Sequence, residues 1–122
     1  MEITQFEQLV VSALEDIKGK DIQVIDTTRL TSLFDRVIIA SGDSNRQTRS
    51  LARNVADKAR EAGLKVVSVE GEDSGEWVLV DLGDIVVHVM QPAVRAYYNL
   101  EELWSATPAR PSRPGSAAAR AA

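Results

Sequence analysis

The chain has 122 residues, with 14 Lys and Arg against 18 Asp and Glu, a net charge of −4, no cysteine and one histidine. That length gives one domain able to bury a core without staples, and the composition excludes disulfides, thiolate metal sites and zinc catalysis by several imidazoles. No apolar run approaches the roughly 20 residues that span a bilayer, and the acidic start MEITQFEQ is unlike a targeting peptide, so the expectation is a soluble, cytoplasmic protein with no membrane partner.

The charge is unevenly spread. Residues 105–122 carry Arg110, Arg113 and Arg120 and no acid, which leaves 11 basic and 18 acidic groups, a net of −7, in residues 1–104. Between Val66 and Val94 stand Glu70, Glu72, Asp73, Glu76, Asp81 and Asp84 without a single Lys or Arg. Such a field repels nucleic acid and attracts basic proteins.

Taken in order, Ile3, Phe6, Leu9, Val10, Ala13, Leu14 and Ile17 recur at helical spacing and predict a helix over residues 3–18. Thr4, with Glu7 three residues on, is its expected N-cap and Gly19 its terminator. Asp21–Asp26 alternates as a structural strand; a polar link and a short turn over Leu30–Phe34 lead to a buried strand over Asp35–Ala40. Ser41-Gly42-Asp43-Ser44 then opens a helix from Asn45 to Glu61, with Ser44 as N-cap and Gly63 as stop. A polar loop before a helix can hold a phosphate, but no glycine-rich phosphate motif is present and a plain cap is favoured. Leu51, Ala52, Val55 and Ala59 form the core stripe of this helix. Arg46, Arg49, Arg53 and Arg60 fall within about 60° of one another, a ridge that either balances the acidic half as a solvated face, the favoured reading, or meets RNA phosphates.

Lys65–Glu70 predicts a third strand, and Gly71–Gly75 a polar connection into the stretch Trp77–Met90. There Gly83-Asp84 interrupts two β-branched runs as the loop of a hairpin that pairs Val78 with Val89, Val80 with Val87 and Leu82 with Ile85. One face is wholly aliphatic. The other pairs Trp77 with Met90, Leu79 with His88 and Asp81 with Val86. Pro92 opens a last helix with Val94, Tyr97 and Tyr98 on one side, continuing through Leu100–Trp104, and residues 105–122 read as a disordered Ala/Pro/Arg-rich tail beyond a domain over residues 1–104. The fold class is α/β, α+β-like, with a mixed five-stranded sheet: a right-handed parallel crossover over residues 35–70, antiparallel later strands, and helices on the aliphatic face.

Nothing in this inventory assembles a catalytic set. His88 has no serine placed beside it and reads as an ordinary sheet histidine before an interface residue; Asp81 and Asp84 flank a turn, where turn chemistry itself favours Asp over a metal role. Neither metal nor cofactor is expected. Trp77, Leu79, Val86 and Met90, rimmed by Glu70, Glu76, Asp81 and Asp84, have the anatomy of a protein interface with an aromatic anchor. A helix of the same domain covering that face fits the pattern equally well.

The stretch Trp77-Val-Leu-Val-Asp81-Leu-Gly83-Asp84-Ile-Val-Val-His88-Val-Met90, followed by Arg95, Tyr97-Tyr98, Leu100-Glu101 and Leu103-Trp104, closely resembles the ribosomal silencing factor family, called RsfS or Iojap. Asp26, Thr31, Asp35, Val37–Ala40 with Ser41-Gly42, Ser44, Arg46-Gln47 and Val55–Lys58 share the resemblance, which covers roughly residues 5–104 and leaves out the tail. It implies binding to the large ribosomal subunit through the basic ribosomal protein universal L fourteen. Occlusion of the small subunit then represses translation under nutrient limitation and restrains ribosome assembly, without enzymatic activity. It also implies a nucleotidyltransferase-like fold lacking catalytic residues. On this reading Trp77, Leu79 and Met90 are apolar anchors, Glu70, Glu76, Asp81 and Asp84 complementary charges, and Tyr98 and His88 neighbouring contacts, with a homodimer of the free protein as a competing use of the face. The rivals are a residual nucleotidyltransferase using Ser41, Ser44, Asp81 and Asp84, and RNA contact through the arginine ridge.

Overall fold

The computed structural model describes residues 1–105, so the expected tail lies, apart from Ser105, outside the described residues. Helix α1 spans Ile3–Asp16, strand β1 Lys20–Asp26, β2 Arg36–Ser41, helix α2 Asn45–Glu61, β3 Ser68–Glu70, β4 Trp77–Asp81, β5 Ile85–Met90, and helices α3 and α4 Pro92–Tyr98 and Leu100–Ser105. The five strands form one sheet in the order β1-β2-β5-β4-β3. β2 runs parallel to β5, and every other neighbouring pair is antiparallel. β2 and β3 therefore point the same way across α2, as expected, but two strands separate them.

The hairpin forms in the expected register, Trp77 opposite Met90 and Asp81 opposite Val86. At its loop the Leu82 N–H donates to the Ile85 carbonyl (2.9 Å), and Gly83 alone of the two loop residues takes a positive φ, +88°, the II′ pattern. Val78, Val80, Leu82, Ile85, Val87 and Val89 are buried together with Ile38 and Ala40 under α1 and α2, which contribute Phe6, Val10, Leu14, Leu51 and Val55. This is the main core.

Local differences have local causes. The cap of α1 is Glu2, whose side chain makes no capping bond, so Thr4 lies inside the first turn. The helix stops at Asp16: Lys18 takes the left-handed turn (φ +62°), and Gly19 donates to the Leu14 carbonyl (2.8 Å). A Cβ on Gly19 would sit 3.0 Å from that carbonyl and 3.1 Å from Leu51, so close packing selects this glycine. Ser44 caps α2 as expected, accepting from the Gln47 N–H at 3.0 Å. β3 is three residues long rather than six, because its partner β4 turns away after Asp81 and leaves residues 65–66 nothing to pair with. The expected single last helix is two, broken at Asn99, which adopts the left-handed conformation (φ +49°, ψ +55°) tolerated by its short polar side chain.

Candidate functional site

The second face of the sheet is divided. Over β1 and β2, helices α3 and α4 return and pack Val94, Leu100 and Trp104, with Phe34 and Ile25, against the buried Val37, Ile39 and Met90, and Trp77 packs against the same small cluster from its margin. Over β3, β4 and the rest of β5, Leu79, Val86 and His88 stay half-buried with Trp77 and Asp81. The helical cover that the sequence left open as one reading thus lies over the β1–β2 half of the face.

Met90 requires a correction. It is 0% exposed and fills the small core beneath α3, so it supports the face from below and offers no surface to a partner. The other residues singled out are accessible in varying degree. Glu70 stands directly opposite Leu79, and Glu76 and Asp84 lie exposed at the two ends of β4. The Asp81 carboxylate accepts from the Gly83 N–H (2.9 Å) and so serves the turn as well as the rim.

Aromatic packing holds the open half together. Tyr98, 54% exposed at the end of α3, lies with its ring centroid 4.8 Å from that of Trp77. On the other side the Trp77 indole Nε1–H donates to His88 Nδ1 at 3.0 Å. Burial pushes the His88 pKa down to about 4, so the imidazole is neutral at physiological pH and Nδ1 is free to accept. The connection that delivers Trp77 is itself fixed: Gly71 (φ +89°) lies so close to the Trp77 carbonyl that a Cβ would come within 2.1 Å. Arg49 donates to the Glu72 and Asp73 carbonyls, and the buried Thr48 hydroxyl bonds the Gly75 carbonyl.

The arrangement is a small, partly preorganised apolar patch with an acidic border. The family model described as "ribosomal silencing factor during starvation" matches residues 1–122. The chain belongs to the ribosomal silencing factor family. It is 62% identical over 104 residues to the ribosomal silencing factor RsfS of Chromobacterium violaceum, covering 85% of each chain. A crystal structure of a protein from that organism superposes with a TM-score of 0.85 at 61% identity, covering 86% of this chain and 88% of that one. Further off, the mouse "mitochondrial assembly of ribosomal large subunit protein 1" is 31% identical over 100 residues, 80% of this chain and 44% of that protein. As a member of this family the chain has a ribosome-silencing role.

The rival sites look different in this silencing factor. Ser41 Oγ accepts from Arg95 Nη1 (2.8 Å), and Ser44 caps α2. Ser41 pairs with Met90 at one end of β5, and Asp84 precedes the other end, so about 17 Å of strand separates the groups a nucleotidyl-transfer site would need. Among the described residues no group of three His, Cys, Asp or Glu could hold a metal ion, and no helix is long and apolar enough to cross a membrane. Of the arginine ridge, Arg49 and Arg53 tie α2 to the β3–β4 connection, Arg53 through the Glu72 carboxylate (3.2 Å), and Arg60 pairs with Asp57. Among the described residues, only Arg46 of the four has a side chain without a partner.

The motif holds Arg95 and Glu101, but their pairing was not legible in it. Arg95, 8% exposed, donates to Ser41 and to Glu101 (2.7 Å), joining α3, α4 and the end of β2. Six residues separate Arg95 from Glu101, so no helical spacing reports the pair. The break at Asn99 creates it, and Asn99 is the sequence signal that could have found it.

Proposed function

We propose that the open half of the second sheet face is a docking surface for a basic protein of the large ribosomal subunit, universal L fourteen, and that the bound factor silences the ribosome by occluding the small subunit. The observation that carries this reading is the partly buried Trp77 clasped between Tyr98 and His88, beside Leu79 and Val86, inside a border of Glu70, Glu76 and Asp84. An aromatic anchor within a polar rim is what interface hot spots use, and the acidic border suits a basic partner. The mechanism is steric and needs neither cofactor nor catalysis. It operates in the cytoplasm, lowers translation when nutrients are scarce, and restrains ribosome assembly. A second copy of the chain docked on the same face would compete with the ribosome, and sedimentation of the free protein over a wide concentration range tests for it.

The deciding experiment is binding of the wild type and Trp77→Ala to isolated large subunits, with circular dichroism as the folding control. Loss of a hot spot weakens the Kd roughly thirtyfold, about 2 kcal/mol. Unchanged binding by a folded Trp77→Ala variant removes the docking face from consideration. A chain ending at Ser105 should bind as the full chain does, since the face lies wholly before it.

A further inference from the structure

An anchor that swings between rotamers must be frozen at each encounter, whereas one already held is ready to bind. Trp77 is held from two sides. Tyr98 packs against it from α3 with the rings tilted by 50°, and His88, diagonal to it across the β4–β5 ladder, takes its only polar hydrogen at 3.0 Å, with the ring centroids 5.8 Å apart. The indole has no second donor and no acceptor, so this one bond uses up its entire polar capacity. With Nδ1 accepting, the imidazole proton sits on Nε2, and the low basicity that burial imposes keeps the acceptor lone pair unprotonated at neutral pH.

We propose that His88 is a positioning residue: its Nδ1 fixes the Trp77 indole against Tyr98, so that a partner meets the ring of Trp77 and finds no free N–H to bond. The inference rests on the docking reading and adds the partner's chemistry. The group that seats on Trp77 is an apolar or cationic side chain, drawn to the ring face, rather than a carbonyl or carboxylate seeking a donor.

Three variants of the full chain test it. His88→Leu keeps volume and removes the acceptor, His88→Asn restores an acceptor near the position of Nδ1, and Trp77→Phe removes the donor. In the free protein the Trp77 indole proton resonance should move upfield in His88→Leu and recover in His88→Asn. Binding to large subunits should weaken roughly three- to tenfold in His88→Leu, mainly through faster dissociation, and be rescued in His88→Asn. Trp77→Phe should weaken binding comparably, and adding His88→Leu to it should cost nothing more. Wild-type affinity in His88→Leu or in Trp77→Phe overturns the proposal. So does equal loss in His88→Leu and His88→Asn with an unmoved indole resonance, which would make His88 itself the contact. If Trp77→Ala binds normally the docking reading fails instead, and the indole resonance of the free protein still decides whether His88 holds the ring.

Discussion

The two faces of one hairpin, offset by a single residue, meet opposite fates. On the closed face Val78, Val80, Val87 and Val89 are 0% exposed beneath α1 and α2. On the other, Trp77, Leu79, Val86 and His88 from the same strands remain half-open. A register slip of one residue would exchange the two sets, so the closed face must specify the pairing strongly. Fully burying each valine contributes about 1.5 kcal/mol or more, and the four together account for much of what holds the sheet to its helices. The open face is under no such constraint, and that freedom is what lets it carry an indole, an imidazole and a carboxylate.

The sharpest way to break the comparison is to put the same charge on each face. Val87→Asp places an unpaired carboxylate under α2 and should remove about 4 kcal/mol or more, abolishing cooperative thermal unfolding at neutral pH. Val86→Asp, one residue away, should shift the melting temperature by only a few degrees. Equal losses would mean that the open face is core.

His88 sharpens the contrast from the open side. Its pKa falls from 6.5 to about 4 through burial, so between those values the folded state binds fewer protons than the unfolded chain. This contribution to stability is complete above about pH 6.5, declines as the pH drops, and levels off below about 4. Relative to His88→Leu, the wild type should lose about 2 kcal/mol more between pH 7 and pH 4.5 in denaturant titrations. Parallel pH profiles would show that the imidazole is in fact well solvated.

The boundary between the covered and open halves depends on the Arg95 bridge. Arg95→Met leaves the Glu101 carboxylate without its cation, although Oε1 already has no partner among the described residues. The expected cost is about 2 kcal/mol, with α3 and α4 exchanging amide protons faster than the strands do. Uniform exchange rates would argue that the two short helices are part of the cooperative core.

How much of this could be read beforehand follows from range. Elements defined by periodicity and local turn chemistry were legible: α2 between Ser44 and Gly63, the hairpin with its register, and the aliphatic stripe of Leu51 and Val55. What depends on a distant partner was not. β3 loses residues 65–66 because β4 turns, Met90 disappears under Leu100 and Val94, and Ser41 is occupied by a cation 54 residues away. Within the site, the Trp77 and His88 alternation told which side they share, but not that they bond, since a diagonal contact depends on the twist of the sheet and on Tyr98 behind it.

The smallest effect separates the patch from its border. Glu70 and Glu76 are exposed, and among the described residues neither is joined to a cation. Replacing both by glutamine should leave thermal stability within about 0.5 kcal/mol of wild type, because no buried partner is lost. The field outside the patch changes more. Association with large subunits should slow by up to about tenfold at low salt, with dissociation unchanged, and the difference should vanish as the ionic strength rises past about 0.5 M, where screening reaches a few ångströms. A faster dissociation rate that survives high salt would mean that these carboxylates make close, desolvated contacts. The anchor would then extend from the open face of β4 onto the β3 edge and would no longer centre on Trp77.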